Sequence, residues 1–153
     1  PAGGGSRAGL RLQAGQVVVV PGGSNWAVRG DIGQSMWLQE ATEPVAGLDE
    51  PSIDLLLMSA ARAAGTRTVG VVLTGLGCDG TAGAALIRHF GGTVLAQDEQ
   101  TSAVFAMPKA VIQGGHASAV LPLGDMARFI NSHVQPLRPV APRITPAIRS
   151  YTR

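Results

Sequence analysis

The run VVLTGLGCDGTAG, Val71 to Gly83, holds the residue types best suited to chemistry, and three chemistries compete for it. Gly75, Gly77 and Gly80 spell G-x-G-x-x-G after an apolar stretch, the spacing with which a dinucleotide fold brings a pyrophosphate onto a helix N-terminus. Asp98, closing TVLAQD, stands about twenty residues on, where that fold keeps its ribose-binding acid. Asp79 opposes this reading, because a carboxylate among the glycines repels the phosphate that the helix terminus would attract. A second reading makes Asp79 the cap of the helix that starts at Gly80. A third is catalytic. In open α/β sheets functional groups gather beyond the carboxyl ends of strands, and a carboxylate there can orient a histidine that deprotonates a serine.

The third reading needs partners, and this chain supplies few. His89 lies at the far end of the helix after Asp79, about ten residues or roughly 15 Å along its axis. His116 precedes a strand and His133 ends the last helix, so both belong to the opposite edge of the sheet. Ser52, at a helix start, and Ser102, just after a strand, share the edge of Asp79, but neither sits in a G-x-S-x-G elbow, and capping or turn roles suit them better. Cys78 has no basic neighbour to favour its thiolate. No Cys/His cluster has metal-ligand spacing, so neither a metal nor a cofactor is expected.

These residues must be positioned by a single domain, the usual content of 153 residues. A hydrophobic share of 45% against 14% charged residues excludes a disordered chain, and a net charge of +2 indicates no polyanionic partner such as nucleic acid. With one cysteine there is no internal disulfide, and no apolar run approaches the roughly twenty residues of a membrane span, so a cytoplasmic location without membrane insertion is expected. Residues 1–9, PAGGGSRAG, read as a flexible lead-in. Residues 135–153 read as a solvated tail, in which Arg138, Arg143, Arg149 and Arg153 alternate with prolines and no acid intervenes.

Between them, QVVVVPGG, NWAVRG and SMWLQE are short extended runs broken by turn residues and predict a small β-meander, with Trp26 and Trp37 as packing residues. PSIDLLLMSAARAAG predicts a helix stopped by Gly65, with Ile53, Leu56, Leu57 and Ala60 on its apolar stripe. Strands follow at 68–74, 93–97 and 117–122, separated by helix TAGAALIRHF, stopped by Gly91, and by helical turns SAVFAMPKAVIQ; helix GDMARFINSH closes the series. Alternation on this scale implies a three-layer, doubly wound α/β domain with a mostly parallel sheet and a small β-meander at its N-terminus.

Three blocks in this order, EPSIDLLLMSAARAAG, LTGLGCDGTAGAALIR and LAQDEQTSAVFAMPKAVI, resemble the C-terminal part of the catalytic domain of chemotaxis protein-glutamate methylesterases, the CheB type. The resemblance runs from about Val17, where VVVVPGG matches the family's extended run into a Pro-Gly turn, to about Val134, so residues 10–134 are the expected catalytic portion. It implies a cytoplasmic serine hydrolase that removes methyl esters from glutamates of chemoreceptor cytoplasmic domains, deamidates certain glutamines and is controlled by a receiver domain. Asp79 then corresponds to the aspartate of a Ser-His-Asp triad, and Gly75, Leu76, Gly77 and Met107 to the substrate or oxyanion loop. Leu76 replaces a methionine whose backbone N–H helps bind the oxyanion, a change of side chain that keeps the donor. The family's Ser-Thr-Gly-Gly nucleophile turn and Gln-His segment are absent from this chain, which predicts that the isolated chain is inactive. The competing readings are a non-catalytic interaction module that kept the fold and a dinucleotide-binding domain.

Overall fold

The apolar run that leads into the glycine loop is a strand, and it is one edge of a parallel sheet. The computed structural model describes residues 9–31, 33–41 and 51–134, with the backbone of 143–146. In chain order the elements are β1 (Leu10–Arg11), β2 (Gln16–Val19), β3 (Asn25–Arg29), β4 (Trp37–Ala41), α1 (Ile53–Ala64) followed by a 3-10 turn, β5 (Val69–Val72), α2 (Thr81–His89), β6 (Thr93–Gln97), α3 (Ala106–Gln113), β7 (Ala119–Leu121), α4 (Leu123–His133) and β8 (Arg143–Pro146). Strands β5, β6 and β7 form the parallel sheet in that order, with Val69 opposite Thr93 and Leu95 opposite Ala119. The fold is thus of the expected α/β class, with a parallel sheet and a small antiparallel sheet before it. No helix among the described residues is long and apolar enough to cross a membrane.

The small N-terminal sheet has a different membership from the predicted meander. β3 and β4 pair antiparallel, and β1 joins the other side of β4. The QVVV run of β2 leaves this group and pairs in parallel with β8. Part of the segment expected as a solvated tail, Arg143–Pro146, is therefore a strand. The β-branched pair Ile144–Thr145 lies opposite Val17 and Val18, and Pro146 stands at the last position, where a missing N–H costs least. The rest of that tail, and the lead-in up to residue 8, lie outside the described residues.

The core is built where α1 and α2 close over β5 and β6. Ala61, Val72, Ala84, Ile87, Val94, Ala96 and Val111 are buried together, with Leu57, Leu86 and Met107 packed on them. The predicted stripe on α1 holds only in part. Ile53 is exposed, and the buried positions are Ser59, Ala61 and Ala63, because α1 is clasped from two sides. Leu57 and Ala61 meet the core, while the Ser59 hydroxyl accepts the Val28 N–H of β3 at 2.8 Å and so ties α1 to the small sheet. Trp26 is buried as expected; Trp37 is exposed, since alternation along β4 turns Leu38 inward instead.

Small residues let α1 and α2 approach closely. A Cβ built on Gly83 would stand 2.5 Å from the Cβ of Leu57 and 3.3 Å from the carbonyl of Asp54. Neither neighbour can rotate away, because one is fixed to the backbone and the other belongs to it. Gly83→Ala gains roughly 1 kcal/mol of helix propensity, but overpacking costs about 1 to 3 kcal/mol. The variant is expected to unfold at lower urea concentration than the wild type, at unchanged slope; a raised midpoint would show that the helices separate freely.

Candidate functional site

The first turn of any α-helix leaves four backbone N–H groups without intrahelical partners. In α1 side chains take all four. Asn25 Oδ1, buried on β3, accepts the Ser52 N–H at 2.7 Å, and Ser52 Oγ accepts the Leu55 N–H at 3.1 Å as a conventional N-cap. The two between them go to one carboxylate from the glycine loop: Asp79 Oδ2 accepts the Ile53 N–H at 2.7 Å and Asp79 Oδ1 accepts the Asp54 N–H at 2.8 Å. Asp79 is therefore a cap, but of α1 and not of α2, the helix that follows it in sequence. A carboxylate bonded through both oxygens to neighbouring amides has a fixed plane, and the positive end of the α1 dipole favours its charge.

The loop that carries Asp79 is shaped by its glycines and braced by the next crossover. Gly77 and Gly80 have φ of 90° and 97°, the left-handed region that favours glycine, and Gly80 also packs against Ile53 and Val72. At Gly75 a Cβ would collide with the Met107 sulfur. Gly75 donates its N–H to Val104 O at 2.9 Å and accepts the Met107 N–H at 3.0 Å. The Thr74 hydroxyl donates to Val104 O at 3.1 Å and accepts the Val104 N–H at 2.8 Å. Beneath them Gln97, only 1% exposed, accepts the Thr74 N–H at 2.8 Å and donates to Thr101 O at 2.7 Å. Of the four residues expected in the oxyanion loop, Gly75 thus spends its N–H on Val104 O and Met107 spends its own on Gly75 O. Leu76, 85% exposed, and Gly77 engage theirs with nothing among the described residues.

The remaining candidates have local roles. Ser102 Oγ donates to Asp98 O at 2.6 Å, and Asp98 Oδ1 accepts the Thr101 N–H at 3.0 Å, so both close the turn after β6. Cys78 is exposed, and its carbonyl accepts the Thr81 hydroxyl at 2.7 Å. No histidine bonds Asp79. His89 meets Phe90 edge-on at 5.3 Å, His133 stacks on Phe129 at 4.6 Å, and His116 lies against Gly114. No group of three or more His, Cys, Asp or Glu among the described residues could hold a metal ion. The phosphate reading loses its ground at the α2 terminus, where the Gly83 N–H is already taken by Asp54 Oδ1 at 2.6 Å. Asp54 was not legible as a site residue, since an acid in a first turn ordinarily serves its own helix. Gln97 left a fainter mark, as the one polar side chain closing the apolar run VLAQ.

A family model described as CheB methylesterase matches residues 6–130. A protein-glutamate methylesterase/protein-glutamine glutaminase from Xanthomonas campestris pv. campestris is 42% identical over 125 residues, which cover 82% of this chain and 35% of that protein. The protein of the same name from Moorella thermoacetica is 43% identical over 125 residues, covering 80% of this chain and 29% of that one. The chain thus spans about a third of the length of the curated relatives it matches. The crystal structure of the Thermotoga maritima CheB methylesterase catalytic domain superposes with a TM-score of 0.77 at 32% identity, covering 84% of this chain and 68% of that one.

Asp79 caps two amides with two oxygens, and this sets the order of its variants. Asp79→Ala is expected to lose about 1 to 2 kcal/mol, the upper range for a helix cap. Asp79→Asn keeps one acceptor and turns an NH₂ toward the other amide, so it should fall between alanine and wild type. Urea titrations of all three at neutral pH, compared by midpoint at common slope, check the order; an alanine variant as stable as wild type would contradict the capping geometry.

Proposed function

Since the chain belongs to the CheB methylesterase family, we propose that it serves in a protein-glutamate methylesterase of chemotaxis, with Asp79 as the aspartate of a Ser-His-Asp triad. The observation that carries the proposal is the grip on Asp79. Both its oxygens are held by the Ile53 and Asp54 amides, as an orienting carboxylate requires, and the unengaged N–H groups of Leu76 and Gly77 lie three and two positions before it in the same loop.

In this reading the serine and the histidine come from polypeptide outside the 153 residues. Asp79 fixes the imidazole's tautomer, and the imidazole takes the proton of the serine hydroxyl. The serine oxygen attacks the ester carbonyl of a methylated glutamate on a chemoreceptor cytoplasmic domain. The Leu76 N–H stabilises the oxyanion, and the imidazolium protonates the departing methoxide to methanol. Water then cleaves the acyl-enzyme and restores serine and glutamate. A glutamine side chain enters the same sequence with ammonia as the leaving group, in keeping with the glutaminase in the names of the relatives. A receiver domain in a longer protein would control access, and the reaction would take place in the cytoplasm, with no metal or cofactor. The non-catalytic module remains the competing reading, favoured by the want of any histidine contact to Asp79.

Methanol release from methylated receptor by the full-length protein tests the proposal. Asp79→Asn is expected to lower kcat by about four orders of magnitude, the scale of losing a triad aspartate, while the 153-residue chain alone releases none. Unchanged turnover in Asp79→Asn, or turnover by the isolated chain that survives Asp79→Ala, would overturn it.

A further inference from the structure

Two side chains tie α1 to the glycine loop and α2, and they run in opposite directions. Asp79 reaches from the loop to the first turn of α1. Asp54 reaches from the first turn of α1 to the first turn of α2, where its Oδ1 accepts the Gly83 N–H at 2.6 Å. The two ties meet at Asp54, whose own N–H donates to Asp79 Oδ1 at 2.8 Å. Together with the backbone from Asp79 to Gly83 they close a ring.

A single tie would leave a hinge. The Asp79 carboxylate is fixed relative to α1, but its Cα rides on the loop that enters α2. If α2 slid along α1, the carboxylate would keep its two amides only by rotating about its own side-chain bonds, and its remaining lone pairs would swing away. The Asp54–Gly83 bond removes that freedom. Both ties are hydrogen bonds from backbone amides to carboxylates, the stronger kind, and each carboxylate sits at the positive end of a helix. The approach of Gly83 to Leu57 and to the Asp54 carbonyl gives the tie a backstop, since the helices cannot close further.

We propose that Asp54 is the positioning residue for the Asp79 carboxylate: through the Gly83 N–H it locks the glycine loop against α1 and so sets the direction in which Asp79 meets its histidine. This rests on the triad reading of Asp79, and it adds a residue that touches neither substrate nor nucleophile. The requirement on Asp54 is for an acceptor oxygen at Oδ1, and not for a charge. Asparagine should therefore replace it and alanine should not.

The test joins a spectrum of this chain to the kinetics of the full-length protein. In amide NMR of the 153-residue chain, Asp54→Ala should move the Gly83 resonance and, with it, the Ile53 resonance that reports the Asp79 contact; Asp54→Asn should leave the Ile53 resonance near its wild-type position. In methanol-release assays Asp54→Ala should lower kcat by about a hundredfold with KM unchanged, the scale of a small misplacement of a catalytic group, and Asp54→Asn should restore most of it. Loss of kcat in Asp79→Asn with wild-type kcat in Asp54→Ala would overturn the positioning role while sparing the triad. Equal loss in Asp54→Ala and Asp54→Asn would overturn it too, by showing that the charge matters and the clamp does not. An Asp79→Asn enzyme with unchanged kcat would instead remove the triad reading on which the role depends, whereas an unmoved Ile53 resonance in Asp54→Ala would refute the lock itself.

Discussion

The first turn of α1 draws its hydrogen-bond acceptors from three parts of the chain, and the geometry of the site depends on that demand. A buried amide left without a partner, as that of Ser52 would be, costs on the order of 1 to 3 kcal/mol, and the helix start, pressed between a sheet and a second helix, recruits for its part-buried and exposed amides as well. It takes Asn25 from β3, Ser52 from its own cap and Asp79 from the loop after β5. Each recruitment fixes something else. Asn25 fastens α1 to the small antiparallel sheet, and Asp79 fastens the glycine loop to α1. A requirement of backbone chemistry thereby fixes the plane of the Asp79 carboxylate.

The same economy operates at the carboxyl edge of the parallel sheet. Three loops leave that edge, and Gln97 joins two of them by accepting from Thr74 and donating to Thr101. Leu123 donates its N–H to the Thr101 hydroxyl at 3.1 Å, which brings in the third. Above this layer the Gly75 and Val104–Met107 backbones hold each other, while the Leu76 and Gly77 N–H groups engage no acceptor among the described residues. The Leu76 side chain itself projects into solvent.

What could be read from the sequence was local. The glycines that stop α1 and α2 do so with positive φ, 54° at Gly65 and 80° at Gly91, and β6 occupies the predicted 93–97. Asp79 stood out because a carboxylate in a glycine loop conflicts with phosphate binding. Its true acceptor role was hidden, because nothing near Asp79 in sequence reveals amides 25 and 26 positions earlier. Local spacing favours the nearer helix start, which is why the capping reading, one of three, assigns Asp79 to α2. Asp54 was hidden for the same reason, and so was the pairing of Gln16–Val19 with Arg143–Pro146, two runs from opposite ends of the chain. The stripe on α1 misled because a helix clasped on two sides buries alanine and serine at close approaches, where periodicity looks for leucine.

The central claim is that the Asp79 carboxylate is held by the first turn of α1, and amide hydrogen exchange at single residues tests it most directly. Ile53 and Asp54 should be protected in the native chain and lose protection in Asp79→Ala, while Leu55, held by Ser52 in the same turn, should keep most of its own. Exchange at Ile53 and Asp54 that is unaltered by Asp79→Ala would contradict the account, because those amides would then owe nothing to the carboxylate.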